Sequence, residues 1–299
     1  MQARTERFTR PELEGVTLHL LHWGEPASPA LVLLHGFGAN AHWWDHLAPR
    51  LARRFHVTAL DFRGHGDSDF PEALVPGAFQ DDLAALLAHL GAADAILVGH
   101  SLGAHVALAH ATDPGAKTRA LVLIDPARGV PAARRRATRL ALRLGRSYRS
   151  HAQAVARFRF LPGGSTASET LRLAIARHSV VARDEGRYAF KFDPRWLGVA
   201  PRRPMEPNRL RCPALLLRGA ESPLLSEHAA QSLAAELPGC RLATVEGAGH
   251  HPQLDRPEET LSLVESFLAA LVPPDRSKGQ ASGPRPNDSE GNGDQASRR

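Results

Sequence analysis

Cysteine is scarce in this sequence, and its scarcity excludes two classes of protein. The 299 residues contain two cysteines, Cys212 and Cys240. Two thiols cannot build the disulfide framework of a small secreted domain. Neither cysteine has a second thiol or a histidine at a metal-ligand spacing, so we predict no metal site. We expect a protein of the reducing cytoplasm.

Long hydrophobic runs are lacking as well. No stretch approaches the roughly 18 apolar residues that a membrane-crossing helix needs, and residues 1–10 are polar, without an apolar signal region. We therefore expect a soluble, unprocessed chain. With 43% hydrophobic residues, the chain can still bury a large core.

Acidic residues are depleted in one segment only. Residues 126–211 contain 20 Lys/Arg against 5 Asp/Glu, whereas the rest of the chain contains 17 against 26. The net charge of +6 therefore comes from a single part of the chain. Because no zinc-finger, helix-turn-helix or RNA-recognition pattern accompanies this charge, we expect no nucleic-acid partner.

Short apolar runs alternate with amphipathic helical patterns along most of the sequence. The runs predict buried strands at residues 30–34, 57–60, 95–98, 120–124, 214–217 and 242–245. The helical patterns lie at residues 79–90, 102–111, 227–237 and 257–271. This alternation predicts an α/β fold, with a mostly parallel sheet that binds ligands at the carboxyl ends of its strands. Residues 16–22 alternate with period two, which predicts an antiparallel strand at one edge.

Two segments interrupt the alternation. Residues 129–211 are rich in arginine and helical in pattern, which predicts a basic helical insertion between core segments 1–128 and 212–272. Residues 273–299 consist mainly of Gly, Ser, Pro, Asn and charged residues. We expect a disordered tail there, because these residues have almost no apolar surface to bury.

A G-x-S-x-G pattern marks a candidate nucleophile. Residues 99–103 are Gly-His-Ser-Leu-Gly, directly after one predicted strand and at the start of a predicted helix. In this context the turn is too tight for a Cβ at either glycine, and it exposes the serine at the strand end. Ser101 is therefore the predicted nucleophile. The alternative is a glycine-flanked turn without chemistry.

A serine nucleophile that takes part in acyl transfer needs two hydrogen-bond donors for the oxyanion that develops on the substrate carbonyl. The turn His35-Gly36-Phe37-Gly38 follows another predicted strand, so the N–H of Phe37 is the first predicted donor. The second is the N–H of Leu102, the residue after the nucleophile. We expect His35 to be a structural hydrogen-bonding residue.

A histidine near the end of the chain is the candidate base. His250 follows Gly247-Ala248-Gly249, just after the strand at 242–245 and before the last helix. A base must come from a loop at the same sheet edge as the serine and after it in chain order, and His250 meets both conditions. Its neighbour His251 is the alternative.

Together with Asp61-Phe62-Arg63-Gly64-His65-Gly66-Asp67-Ser68, these motifs resemble the α/β-hydrolase superfamily over about residues 17–271. The resemblance implies an eight-stranded sheet with a helical cap after the sixth strand, where residues 129–211 fall. It implies that the loop of Asp61, Arg63 and His65 is braced by hydrogen bonds. Haloalkane dehalogenases and epoxide hydrolases of this fold use aspartate at the nucleophile position, so Ser101 argues against both reactions.

The catalytic acid departs from the family pattern. In most members an aspartate stands three residues after the glycine that ends the seventh strand, and Ser222 occupies that position here. A hydroxyl cannot stabilise an imidazolium as a carboxylate does. Asp125, after the strand at 120–124, is the favoured acid, because some family members carry the acid after the sixth strand. Glu221 and an incomplete triad are the alternatives.

The cap is predicted to carry a basic helix and an apolar pocket. The helix holds Arg134, Arg135, Arg136, Arg139, Arg143, Arg146 and Arg149. We favour a solvated face, and the alternatives are an anionic substrate and peripheral contact with an anionic membrane. Aromatic residues indicate an apolar acyl pocket: Phe37, Trp43, Phe158, Phe160, Phe190 and Trp196.

These observations predict a serine hydrolase that cleaves a small carboxylic ester with an apolar acyl part, through an acyl-enzyme on Ser101. Hydrolysis of an activated carbon–carbon bond and acyl transfer to an alcohol are the alternatives on the same residues. A non-catalytic ligand-binding protein of this fold is the alternative from another class. The predicted chemistry requires no cofactor.

Overall fold

The computed structural model describes residues 1–143, 147–199, 201–202 and 205–271, and the predicted tail at 273–299 lies outside them. The strands are β1 (Arg4–Thr9), β2 (Thr17–Trp23), β3 (Ala30–Leu34), β4 (His56–Asp61), β5 (Ile96–His100), β6 (Ala120–Ile124), β7 (Val180–Arg183), β8 (Arg187–Phe190), β9 (Ala214–Gly219) and β10 (Arg241–Val245). The α-helices are α1 (Ala48–Leu51), α2 (Ala78–His89), α3 (Leu102–Ala111), α4 (Ala132–Arg143), α5 (His151–Arg157), α6 (Glu169–His178), α7 (Glu227–Glu236), α8 (Pro252–Asp255) and α9 (Pro257–Leu271). Within the described ranges, no helix is both long enough and apolar enough to cross a bilayer.

Eight strands form one sheet in the order β1-β2-β4-β3-β5-β6-β9-β10. β2 pairs antiparallel with both β1 and β4, and the other neighbours are parallel. The predicted α/β fold, with its mostly parallel sheet, is confirmed. The strand predicted at residues 16–22 is antiparallel, as expected, but it is the second strand from the edge.

The central strands are apolar along their whole length because both faces of the sheet are covered. In β3, Leu31 and Leu33 face one side of the sheet, where they belong to a buried cluster with residues of α1 and α9. Val32 and Leu34 belong to the cluster on the other side, with residues of α2, α3 and α7. This two-sided burial explains why these strands appear in the sequence as continuous hydrophobic runs.

The edge strand β1 was not predicted from the sequence. It lies in the polar segment at residues 1–10, and Phe8 is the buried residue among its six. An edge strand with one solvated face needs few apolar residues, so composition alone does not reveal it.

The segment between β6 and β9 contains α4, α5, α6 and an antiparallel hairpin of β7 and β8. A third apolar cluster joins this segment to the sheet domain, since Phe158 and Ile175 pack there with Trp43 and Leu254. A helical insertion after the sixth strand was predicted, and the hairpin was not.

The predicted arginine helix is shorter than expected. α4 ends at Arg143, and Arg149 lies just before α5, where the Ser150 side chain accepts a hydrogen bond from the Gln153 N–H and begins a new helix. Arg149 therefore does not belong to the same helix face. Arg146 lies outside the described residues. Four further arginines are described by their backbone alone: Arg134, Arg135, Arg139 and Arg143.

The loop after β4 is braced by hydrogen bonds, as expected. The Asp61 carboxylate accepts from the backbone N–H groups of Ala41 (2.6 Å) and Asp67 (2.9 Å), and it lies 2.8 Å from His19 Nδ1. The Arg63 guanidinium pairs with the buried Asp82 at 2.6 Å.

Candidate active site

Ser101 occupies the sharp turn between β5 and α3. Its φ of 50° and ψ of −109° are strained for a residue with a side chain, a common feature of functional turns. A Cβ on Gly99 would clash with the Gly103 carbonyl, and a Cβ on Gly103 would clash with the Leu34 carbonyl. Both glycines are therefore required by close backbone approach, as the sequence pattern predicted.

Three side chains from separate strand ends form a continuous hydrogen-bonded chain. Ser101 Oγ lies 3.0 Å from His250 Nε2, and His250 Nδ1 lies 2.7 Å from Asp125 Oδ1. β5 and β6 are adjacent and parallel, so Ser101 and Asp125 leave the same sheet edge side by side. Asp125 is fully buried, His250 is 4% exposed and Ser101 is partly exposed. The site can thus receive a substrate at the serine while shielding the carboxylate from water.

Asp125, and not Glu221, is the carboxylate that contacts His250. Its φ of 45° is also in the left-handed region, which aspartate tolerates better than most residues. Its Oδ2 accepts from the Gly219 N–H at 2.9 Å, and its Oδ1 accepts from Ser222 Oγ at 2.6 Å. The Glu221 side chain is exposed to solvent. Ser222, at the usual acid position, is therefore a hydrogen-bond donor to the acid on the neighbouring strand.

The two predicted oxyanion donors belong to chain segments that adjoin Ser101. Leu102 is the first residue of α3, so its N–H has no partner within the helix. Gly36 packs against Ser101, since a Cβ placed on it would lie 3.3 Å from Ser101 Cβ, and the next N–H along the chain is that of Phe37. Within the described residues, neither the Phe37 nor the Leu102 N–H donates to a protein acceptor.

Two residues that position His250 were missed by the sequence analysis. His100 lies 2.8 Å through its Nε2 from the His250 carbonyl oxygen. The Asp255 carboxylate accepts from the Gly249 N–H at 2.9 Å, and also from Ser165 Oγ and the Thr166 N–H of the cap segment. His100 is the variable residue of the G-x-S-x-G pattern. Asp255 carries no sequence signal, because its partners are brought together only by the fold.

The other candidate histidines are buried in structural positions. The His35 ring lies 3.1 Å from the Phe62 N–H and 2.7 Å from the Gly36 carbonyl oxygen, as expected for a structural residue. The His251 ring packs against Trp43 and Phe160, and burial lowers its pKa well below the usual range. His250, and not His251, is the histidine within reach of Ser101.

A cavity of about 280 Å³ adjoins the Phe37 side of the site, between the sheet domain and the cap. Its aromatic lining consists of Phe37, Trp43, Tyr148, Phe158, Phe190 and Phe192. Four of the six aromatic residues predicted for a pocket are therefore in this lining. Phe160 packs directly behind Trp43. Trp196 does not reach the cavity: it is buried against Phe79 in the core.

Two sets of potential metal ligands occur in the described part of the chain. Each brings its ligand atoms within 4.8 Å of one another: His42, Asp45 and His178; and His19, Asp61 and Asp67. The Asp61 oxygens already accept backbone and imidazole hydrogen bonds, and the His42 and His178 rings are stacked 3.8 Å apart, so their lone pairs do not converge. Neither set is hydrogen-bonded to the serine, histidine and aspartate described above.

A model of the alpha/beta hydrolase family matches residues 31–263. The chain belongs to this family. The chain is 31% identical, over 81% of its length, to the pimeloyl-[acyl-carrier protein] methyl ester esterase of Xanthomonas campestris, 96% of which is covered. It is 42% identical to epoxide hydrolase A of Mycobacterium tuberculosis, but over 36% of this chain and 34% of that one.

A solved structure resembles the chain over nearly its whole length. The E-2-(acetamidomethylene)succinate hydrolase aligns with a TM-score of 0.76 and 26% identity, covering 89% of this chain and 99% of that one. The protein of this name from Mesorhizobium japonicum is 27% identical, with 87% of this chain and 95% of the relative covered. Family membership and fold therefore agree with the resemblance seen in the motifs.

Proposed function

We propose that the protein hydrolyses a carboxylic ester through an acyl-enzyme on Ser101. The observation that carries this proposal is the uninterrupted chain from Ser101 Oγ through His250 to Asp125, at distances of 3.0 and 2.7 Å. A serine, an imidazole and a carboxylate in this order have the geometry of nucleophilic acyl transfer.

In the first half of the reaction, Ser101 Oγ attacks the ester carbonyl carbon while His250 Nε2 takes the hydroxyl proton. Asp125 holds the imidazole in the tautomer that leaves Nε2 free to accept, and it stabilises the imidazolium that forms. The carbonyl oxygen becomes an oxyanion, to which the N–H groups of Phe37 and Leu102 donate. The carbon–oxygen bond then breaks, and the alcohol leaves with the proton from His250.

In the second half, water attacks the acyl-serine with the same groups in the same roles. His250 takes a proton from water, the oxyanion forms again between Phe37 and Leu102, and His250 returns the proton to Ser101 Oγ. The carboxylic acid is released and the enzyme is regenerated. Both halves use the protein's own side chains and amides.

The nucleophile distinguishes ester hydrolysis from epoxide opening. Epoxide hydrolases of this fold form an ester on an aspartate, and this chain has Ser101 at that position. The epoxide hydrolase relative aligns with only about a third of the chain, whereas the methyl ester esterase aligns with most of it. The cavity beside Phe37 supports an apolar acyl group, because its wall is largely aromatic.

Kinetics on a series of p-nitrophenyl esters of increasing acyl length test the proposal. Ser101→Ala should lower kcat by on the order of 10⁴-fold or more, with unchanged circular dichroism. His250→Ala should have a similar effect. His251→Ala, a change of the same size in the next residue, should not. Turnover by Ser101→Ala within tenfold of the wild-type rate would contradict a serine mechanism.

A further inference from the structure

The cavity beside Phe37 has a largely aromatic lining that also includes two arginines. Arg157 and Arg159 are exposed and belong to its lining, together with Leu142 and Leu161. Among the described residues, the lining contains no acidic side chain. An aromatic cavity with guanidinium groups and no carboxylate in its described lining is suited to a chain that is hydrophobic along its length and anionic at its end.

The two arginines are not equivalent. One Arg159 nitrogen already donates to the carbonyl oxygens of Ala156 (3.0 Å) and Phe158 (2.7 Å). The Arg157 guanidinium has no hydrogen bond or ion pair to any other described side chain or carbonyl oxygen. Its guanidinium therefore retains its donors for a ligand, and Arg159 adds positive charge nearby.

The backbone around Arg157 is held firmly. Ala154 and Val155, just before it in α5, are buried in the cluster of the cap. The Arg172 guanidinium donates to the carbonyl oxygens of Val155 and Phe158, on either side of Arg157. A fixed backbone keeps the arginine at the cavity even though its side chain is exposed.

The direction of a bound substrate follows from Phe37. Its N–H is one of the proposed oxyanion donors, and its ring lines the cavity. An acyl group whose carbonyl lies at Ser101 would therefore extend past Phe37 into the aromatic cavity, whose lining includes Arg157 and Arg159.

We propose that the substrate is an ester whose acyl chain ends in an anionic group, a carboxylate in the simplest case, which binds Arg157. This inference rests on the proposed ester hydrolysis and names the substrate class of the same site. A guanidinium pairs with a carboxylate through two parallel hydrogen bonds, whereas a methyl ester offers only neutral acceptors. The charged end thus determines specificity by pairing with Arg157, and the apolar part of the acyl chain packs in the aromatic cavity.

The test compares monomethyl and dimethyl esters of linear dicarboxylic acids with four to eight carbons. These pairs have the same chain and the same scissile bond, and they differ in the charge at the far end. We expect the wild-type protein to favour the monoester by at least about tenfold in kcat/KM at one or more chain lengths. The preference should shrink as salt is added, because Arg157 is exposed.

Arg157→Gln should raise KM for the monoester about tenfold or more and leave the kinetics of the dimethyl ester within about twofold. Arg157→Lys should retain part of the preference. Arg177→Gln is the matched control, because Arg177 is also an exposed arginine in the last turn of a cap helix but does not line the cavity. It should leave both esters unaffected, which excludes a general effect of cap charge or of the helix end.

Equal kcat/KM for monoester and diester at every chain length would overturn the inference and leave ester hydrolysis standing. An equal change for both esters in Arg157→Gln would overturn it as well. Calorimetry tests the anionic ligand independently of the reaction. The monoester should bind Ser101→Ala at least about tenfold more tightly than it binds Ser101→Ala/Arg157→Gln. If no ester is turned over but this difference in affinity is found, the proposed reaction is wrong and the proposed anionic ligand is supported. Equal affinities would reject the anionic ligand.

Discussion

At the scale of single residues, the proposed acid is Asp125, which follows β6, and not a residue at the position that the family resemblance implied. Asp125 is buried and contacts His250, whereas Glu221 points into solvent. Asp125→Asn keeps the shape but loses the negative charge, and its single amide oxygen cannot accept from Gly219 on one side and from His250 and Ser222 on the other. We expect kcat to fall at least about a hundredfold, within the loss of up to about 10⁴ measured for the chymotrypsin-type triad.

The matched control for the acid is Glu221→Gln, which makes the same chemical change in an exposed residue. Its kcat should stay within about fivefold of wild type. Steady-state kinetics at equal thermal stability decide between the two residues. If Glu221→Gln loses most of its kcat and Asp125→Asn keeps the wild-type kcat, the acid is Glu221. If both variants remain active, His250 works without a carboxylate.

Ser222 stands where the family resemblance implies an acid, so we expect an aspartate at position 222 to be able to serve the His250 imidazole. Ser222 Oγ and His250 Nδ1 both lie within 2.7 Å of the same Asp125 oxygen. Ser222→Asp alone would put two carboxylates together, so we expect it to lower kcat. In Asp125→Asn/Ser222→Asp, the new carboxylate should recover at least about tenfold of the activity lost in Asp125→Asn. A double variant no faster than Asp125→Asn would show that position 222 cannot serve the imidazole.

At the scale of elements, the loop that carries His250 is tied to the cap through Asp255. This carboxylate accepts three hydrogen bonds, one from Gly249 beside the base and two from Ser165 and Thr166. In Asp255→Asn, an amide N–H must face one of these donors. A buried, unsatisfied group costs about 1–3 kcal/mol, so urea unfolding should show a loss of that size. We expect kcat to fall about tenfold, because the loop that positions His250 loses its hydrogen bond from Gly249 to the Asp255 carboxylate.

Ser165→Ala provides the comparison for Asp255. It removes one of the three donors and leaves the hydrogen bond from Gly249 intact. The free energy of unfolding should therefore fall by about 1 kcal/mol, and kcat should stay within about threefold of wild type. If Asp255→Asn and Ser165→Ala have the same effect on kcat, Asp255 does not act through the histidine loop.

The elements also show how far a sequence determines a site of this kind. The strands and turns around Ser101, Asp125 and His250 were predictable, because apolar runs and glycine turns are local signals and parallel strands end at a common edge. The edge strand β1 and the hairpin of β7 and β8 were not, because they are partly solvated and have no continuous apolar pattern. The roles of Ser222 and Asp255 depend on contacts between segments distant in sequence, which no local pattern records.

At the scale of the whole molecule, buried neutral histidines should make stability depend on pH. His65 is fully buried, and burial, with a contribution from His35, lowers its pKa from 6.5 to about 3. The unfolded chain binds a proton near pH 6.5 and the folded chain does not, so the free energy of unfolding falls as pH drops below that value. Between pH 7.5 and 5 the loss is about 2 kcal/mol for this residue.

Urea unfolding at several pH values measures this effect. His65→Gln should have a flatter curve than the wild-type protein, by about that amount over the same interval. Parallel curves for the two proteins would show that His65 is not the neutral, buried group that the structure indicates.

Covalent labelling distinguishes a nucleophilic Ser101 from a serine that takes no part in the chemistry. A fluorophosphonate reacts with an activated serine and should add one label per chain, which peptide mass spectrometry should locate at Ser101. Ser101→Ala should not be labelled, and Asp125→Asn should be labelled at least about a hundredfold more slowly. Absence of labelling in the wild-type protein, or a label on another residue, would contradict the proposed mechanism.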